Sequence, residues 1–197
     1  MRSAGADGDC PLDPRVERSR QVILEATLTE LAERGYGPLT IEGVAARAGV
    51  GKATVYRHWP GKLALVEDAV RTLKPSHDPP AGSSPRAELA EMFRNLARWT
   101  AESPWSSCIP AIIEAAERDP AVRESHHRFT SERRQRAADL VRQAIEAGEV
   151  RPDVDPALAA EAMAGPIFYR RLMTPEPFDP DAVEGLLDLV LGPAPEV

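Results

Sequence analysis

The chain has 197 residues, 28% of them charged, and a net charge of −7, a length that holds one domain or a module of about 60 residues joined to a larger one. No run of about 18 apolar residues occurs, and residues 1–14 lack the basic-then-apolar order of a signal peptide, so a membrane span is excluded and a cytoplasmic location expected. Two cysteines, Cys10 and Cys108, make no disulfide framework and read as free thiols.

The acidic total hides an uneven distribution. Residues 14–74 carry ten Lys/Arg against seven Asp/Glu, whereas residues 75–197 carry thirteen against twenty-one. A locally basic segment in an acidic chain fits a nucleic-acid footprint confined to the first part.

Taken in order, residues 1–13 have almost no apolar content and are expected to be a disordered tail. Beyond them the chain marks its own helices. Asp13-Pro14, Ser84-Pro85, Ser103-Pro104, Asp119-Pro120, Asp155-Pro156 and Asp179-Pro180 each set a capping side chain before a proline suited to the first helical position. With further starts at Thr40, Gly51 and Gly61 this predicts an all-α chain of about nine helices. The first, from about Arg15 to Arg34, carries Ile23, Leu24, Leu28 and Leu31 as its apolar stripe and stops at Gly35.

The stretch from Thr40 to Lys62 predicts two short helices around a tight turn. Thr40 caps the first, Ile41, Val44, Ala45 and Ala48 recur at helical spacing, and Gly49 suits a left-handed residue past the helix end. The second helix turns Val55 and Trp59 inward, leaving Lys52, Ala53, Thr54, Tyr56, Arg57 and His58 on or near the outside. That outer face suits DNA: Lys52 and Arg57 can neutralise phosphates, Thr54 and Tyr56 can reach phosphates or base edges, and Ala53 is small enough to approach a thymine methyl. Lys62 opens the next helix, where its charge and the helix N-terminus both suit a phosphate.

The pattern Thr-x-x-x-Val-Ala-x-x-Ala-Gly-Val-x-x-x-Thr-x-Tyr-x-x-Trp-x-x-Lys, from Thr40 to Lys62, resembles the DNA-binding signature of the tetracycline-repressor (TetR) family of bacterial transcription regulators. Gly51 departs from it, since the family often has serine or proline there, and so gives the recognition helix a weaker cap. The resemblance implies a helix-turn-helix domain over 14–74, in which Thr40, Lys52, Ala53, Thr54, Tyr56, Arg57, His58 and Lys62 form the DNA-binding set. It also implies a homodimer on a palindromic double-stranded operator and a C-terminal regulatory and dimerisation domain that a small molecule controls.

After a helix from Lys62 to about Thr72, residues 75–85 read as a polar, proline-rich connector and 86–197 as the second domain. Helices over about 86–101, 105–118 and 121–147 contribute Phe93, Leu96, Trp99, Trp105, Ile109, Ile112, Ile113 and Phe129, a set that can line a pocket for a small hydrophobic effector or serve as core. His126 shares a face with Val122 and Phe129, while Arg128, Arg133, Arg134 and Arg136 read as a solvated face. The last two helices, from Pro156 and Pro180, carry more apolar surface than one protomer can bury. Leu158, Ala162, Gly165, Phe168, Tyr169, Leu172, Val183, Leu186, Leu187 and Val190 are therefore expected at a dimer interface, and this part also resembles the C-terminal region of TetR-type regulators. Neither a Ser/His/Asp order nor a phosphate loop nor metal-ligand spacing occurs, so no enzyme, cofactor or metal is expected. The alternative keeps the fold and drops the ligand: a DNA-binding dimer regulated by abundance or by a protein partner.

Overall fold

The computed structural model describes residues 14–73 and 82–194, so the expected tail, Cys10, most of the connector and the cap at Asp13 lie outside the described residues. Nine α-helices occur among these residues, and no strand: α1 (Pro14–Arg34), α2 (Ile41–Ala48), α3 (Lys52–His58), α4 (Lys62–Arg71), α5 (Pro85–Glu102), α6 (Cys108–Arg118), α7 (Pro120–Glu146), α8 (Pro156–Met173) and α9 (Val183–Leu191). The chain divides into two compact units, Met1–Arg34 with Pro38–Thr72 and Gly35–Gly37 with Leu73–Val197.

Capping fixes most of the helix starts. Ser84 accepts from the Ala87 N–H, Asp119 from Ala121, and Asp155 from both Ala157 and Leu158. Each satisfies a donor that the first turn leaves unpaired, at about 1 kcal/mol per cap. Ser103 and Asp179 cap as well, but each opens a 3-10 turn, Pro104–Ser107 and Pro180–Ala182, before the α-helix begins. Trp105 therefore lies in a turn, and α6 starts three residues later than its sequence implied. Pro110 then falls in the first turn of α6, where its missing N–H costs nothing.

In the first unit, α1 packs on α2 and α4, burying Ile23, Leu24, Leu28 and Leu31 with Leu39, Val44, Val55, Leu65 and Ala69. Fully burying one such leucine or isoleucine contributes about 1.5–3 kcal/mol, so these side chains together supply most of what holds the four helices.

In the second unit, α7 runs through the middle and packs on α5, α6 and α8. Leu89, Phe93, Val141, Met163, Ile167 and Leu187 lie at the centre of the main core. Cys108, Ala115, Ala116 and Val122 are buried outside that cluster, between α6 and the start of α7. Arg86 ties the start of α5 to the end of α9, donating from Nη2 to Asp188 (2.8 Å) and to the Gly192 carbonyl (2.9 Å).

Two expectations need correction here. Val183 and Leu187 are 0% exposed and Leu186 is 8% exposed, all within the protomer's own core. Burial against α5 and α8 satisfies that face of α9, so these three leave nothing for a partner. Phe93 is likewise a core residue rather than the wall of an open pocket.

Candidate nucleic-acid interface

The turn between α2 and α3 has the geometry its residues dictate. Gly49 adopts φ +68°, its N–H donates to the Ala45 and Ala46 carbonyls, and the Val50 N–H returns to Ala45 at 3.0 Å. A residue with a Cβ is strained at that backbone angle. Ala45, 3% exposed, occupies the inner face where the two helices meet. Thr40 accepts from the Gly43 N–H at 3.0 Å, which makes it a structural cap while its own hydroxyl proton stays available to a phosphate. Gly51 caps α3 with backbone alone.

On α3, Val55 and Trp59 face inward, 0% and 4% exposed. Ala53, Tyr56 and Arg57 are exposed, and Thr54 and His58 are half-buried. One face of a two-turn helix thus presents a methyl, a phenol and a guanidinium together. Lys62 is half-buried at the start of α4, next to the helix N-terminus.

Lys52 does not stand open in the same way. Its ammonium lies 2.6 Å from Glu42 Oε1, and this hydrogen bond holds the Glu42 carboxyl below the usual carboxylate range and the Lys52 ammonium above its own. A phosphate at Lys52 therefore competes with Glu42 for the ammonium, which is otherwise exposed.

Two clusters of polar contacts, one at Asp68 and one at Glu30, hold α2 and the end of α3 in place, and neither was singled out from sequence. Trp59 donates from Nε1 to Asp68 Oδ2 at 2.8 Å, and the same carboxylate oxygen accepts from Arg20, whose guanidinium sits 5.9 Å from the Trp59 ring centroid. Glu30, 3% exposed, accepts from Arg47 Nε at 2.7 Å and pairs with Arg34 at 3.3 Å. Arg47 reaches on to Glu33, and these two carboxylates, Glu30 first, raise its pKa above the ordinary arginine value. The contacts span α1 to α4 and α1 to α2, at sequence separations of 48 and 17, beyond the reach of any local pattern.

In the second unit, Leu96, Trp99, Trp105, Ile109, Ile112, His126 and Phe129 are all half-buried, whereas Ile113 is exposed and turns away. Burial, and His127 beside it, lower the pKa of His126. Arg133 departs from the expected solvated face: it is half-buried, its guanidinium lies 4.5 Å from the Phe129 ring centroid, and it donates to the Leu73 carbonyl at 3.3 Å. Cys108, 1% exposed, has its thiol pushed up to about 11 by burial, so at neutral pH it is no nucleophile. No cluster of three or more His, Cys, Asp or Glu that could hold a metal occurs among the described residues.

The expected interface set divides. Leu158, Ala162, Gly165, Tyr169 and Leu172 are exposed at alternating spacings of four and three, a single stripe along α8. Phe168 and Val190 are half-buried, while Leu189, one of the surplus apolar residues of the last helix, and Met173 are 82% and 71% exposed. Among the described residues no helix is long and apolar enough to cross a membrane.

Comparison with known proteins agrees with this geometry. Residues 23–69 match the family described as bacterial regulatory proteins, tetR family, and residues 79–190 match the tetracyclin repressor-like C-terminal domain. An uncharacterised HTH-type transcriptional regulator of Bacillus subtilis, YdeS, is 32% identical over 176 residues, 88% of each chain. One from Mycobacterium tuberculosis is 30% identical over 189 residues, covering 94% of this chain and 93% of that one. A crystal structure of a TetR-family regulator from a Rhodococcus species shares the fold, with a TM-score of 0.72 at 22% identity over 88% of this chain and 98% of the other. With both of its units matched and relatives that align along nearly its whole length, the chain belongs to the TetR family of DNA-binding transcriptional regulators.

Proposed function

We propose that the protein is a homodimeric repressor that binds a palindromic operator through α3 and is released when a small apolar molecule occupies the second unit. The observation that carries the first half is the outward face of α3, where Ala53, Tyr56 and Arg57 stand exposed behind a helix pinned by Trp59. In this reading Tyr56 and Lys62 grip phosphate, while Ala53 and Thr54 meet base edges. Two copies joined along α8 would present two such faces, and two half-sites on one side of DNA lie about 34 Å apart or a multiple of it. The half-buried residues of α6 and α7 support an effector site, because an apolar side chain left half-exposed inside a helical unit gains by being covered. A regulator of this kind acts in the cytoplasm and performs no catalysis.

The test is operator selection from random duplex DNA, followed by binding of variants. Tyr56→Phe and Lys62→Ala should weaken specific and non-specific binding alike, whereas Thr54→Ala should change the preferred bases. If Lys62→Ala shifts the selected sequence without loss of affinity, the assigned roles are wrong.

A further inference from the structure

The inner stripe of α7 reads Val122, His126, Phe129, Arg133, Ala137, with Val141 and Ala144 beyond. Both of its ends are buried: Val122 among Cys108, Ala115 and Ala116, and Ala137, Val141 and Ala144 in the main core. Its middle is different. His126, Phe129 and Arg133 are only half-buried, as are Trp99 of α5, Trp105 of the following turn and Ile109 and Ile112 of α6, and none of these belongs to the main core cluster. The helices α5 and α6 each pack on α7 but scarcely meet one another. A belt of incompletely covered aromatic and aliphatic groups therefore lies between two packed regions. From His126 to Arg133 it runs seven residues along α7, about 10 Å at 1.5 Å per residue, the reach of a medium-length alkyl chain.

At the inner end of this belt sits a positive charge. Arg133 lies over the Phe129 ring and, among the described residues, donates to one backbone carbonyl, that of Leu73. Neither partner neutralises it, and burial works against its charged form. Five N–H groups in a planar fork exceed what one carbonyl and a ring face can use, and a half-buried guanidinium gains most from a carboxylate that accepts two of them. The other arginines of this part of α7 are placed differently: Arg134 is exposed and paired with Glu161, and Arg136 is exposed.

We propose that the effector of the second unit is an anionic amphiphile, a carboxylate on an apolar body, whose head group pairs with Arg133 and whose body covers Phe129, Trp99 and Ile112. This rests on the reading of the protein as an effector-controlled regulator and adds an anionic head group to the apolar body which that reading gives the effector. It also distinguishes the site from a purely hydrophobic one, which would favour a neutral ligand, and from one for cationic compounds, which Arg133 repels.

A matched series tests it: decanoate, decan-1-ol and decylammonium, each below its micelle-forming concentration, titrated into the full chain with calorimetry as the readout. Decanoate is expected to bind about ten- to a hundredfold more tightly than decanol, the worth of a hydrogen-bonded charge pair. Arg133→Met should erase that preference with decanol binding little changed, and Arg133→Lys should keep part of it. Thermal melts of each variant establish that it is folded; should Arg133→Met not fold, Arg133→Lys and the wild-type series still decide. Equal or tighter binding of decanol or decylammonium by the wild type, or an undiminished decanoate preference in Arg133→Met, overturns the carboxylate assignment and leaves an effector site standing. No binding by any of the three overturns both.

Discussion

If two copies join along α8 as proposed, glutamate at Leu158 and Tyr169 together should leave the protein monomeric without unfolding it. Leu158 and Tyr169 are 65% and 62% exposed on the α8 stripe, so neither supports the protomer's core. Fully burying a side chain of this size contributes about 1.5–3 kcal/mol, and two-thirds of that, about 1–2 kcal/mol, is recovered by covering what each exposes. A two-fold interface counts every position twice, so four lost side chains remove about 4–8 kcal/mol, at least a thousandfold in Kd, before the charges are desolvated. Between them lie Ala162 and Gly165, and a Cβ built on Gly165 meets nothing within 4 Å inside the protomer. Gly165→Leu should therefore leave the protomer intact and separate two helices that cross there. Sedimentation velocity at micromolar concentration, with far-ultraviolet circular dichroism as the folding control, reads all three variants. A wild-type monomer, or a dimer unchanged by Leu158→Glu with Tyr169→Glu, would refute the α8 interface. Leu187→Glu is the contrasting case, since at 0% exposure it should unfold the second unit rather than dissociate it.

Other expectations follow from single contacts. Glu42→Gln frees Lys52, so non-specific DNA affinity should rise and the salt dependence steepen by about one unit on a log–log plot; an unchanged slope would place Lys52 away from phosphate. Glu30→Gln should cost about 1.5–3 kcal/mol in urea unfolding, the value of hydrogen bonds to a charged group, and not the larger penalty of a fully buried pair, because Arg47 and Arg34 can both re-enter water. In a Cys10→Ser background, Cys108 should react with a maleimide at pH 8 only as fast as the chain opens. Its folded pKa of about 11 lies above the ordinary 9.0, so its contribution to stability is complete below pH 9 and is lost as pH rises towards 11, a loss that Cys108→Ala should remove.

What was legible in the sequence followed from how local its cause is. A capping side chain before a proline, a glycine at a left-handed position and a stripe at helical spacing each act within a few residues, so the helix starts at Ser84, Asp119 and Asp155 and the turn at Gly49 could be read directly. Which apolar stripe faces a partner is another matter. Leu187 and Leu189 are equally apolar and two residues apart, yet one is 0% and the other 82% exposed. On a helix that spacing sets them about 200° apart, and Leu187 shares the stripe of Val183, Leu186 and Leu191 while Leu189 lies on the opposite side; what α9 alone does not encode is whether that stripe is covered by α5 and α8 or by a partner. Arg133 shows the same limit, since spacing places it on the stripe of Phe129 and composition places it among solvated arginines. Only the packing of α7 decides between them.

The long-range polar contacts also revise what the local charge balance means. Counted by residue, the first part of the chain is basic, but Glu42 holds Lys52, Glu30 and Glu33 hold Arg47, and Asp68 holds Arg20. Two of these three pairings are architectural: they fix α2 and the end of α3, and breaking them to reach DNA would loosen the recognition helix itself. The Lys52–Glu42 pair differs because both side chains are more than half exposed, and an exposed ion pair is weak enough for a phosphate to replace the carboxylate. If Lys52 meets phosphate as proposed, Glu42 is a local competitor whose effect is felt equally on every DNA sequence, since phosphates are uniform along the duplex. In the proposed reading, lowering the non-specific background in this way would leave the contacts of Ala53 and Thr54 as the larger share of what distinguishes one operator from another.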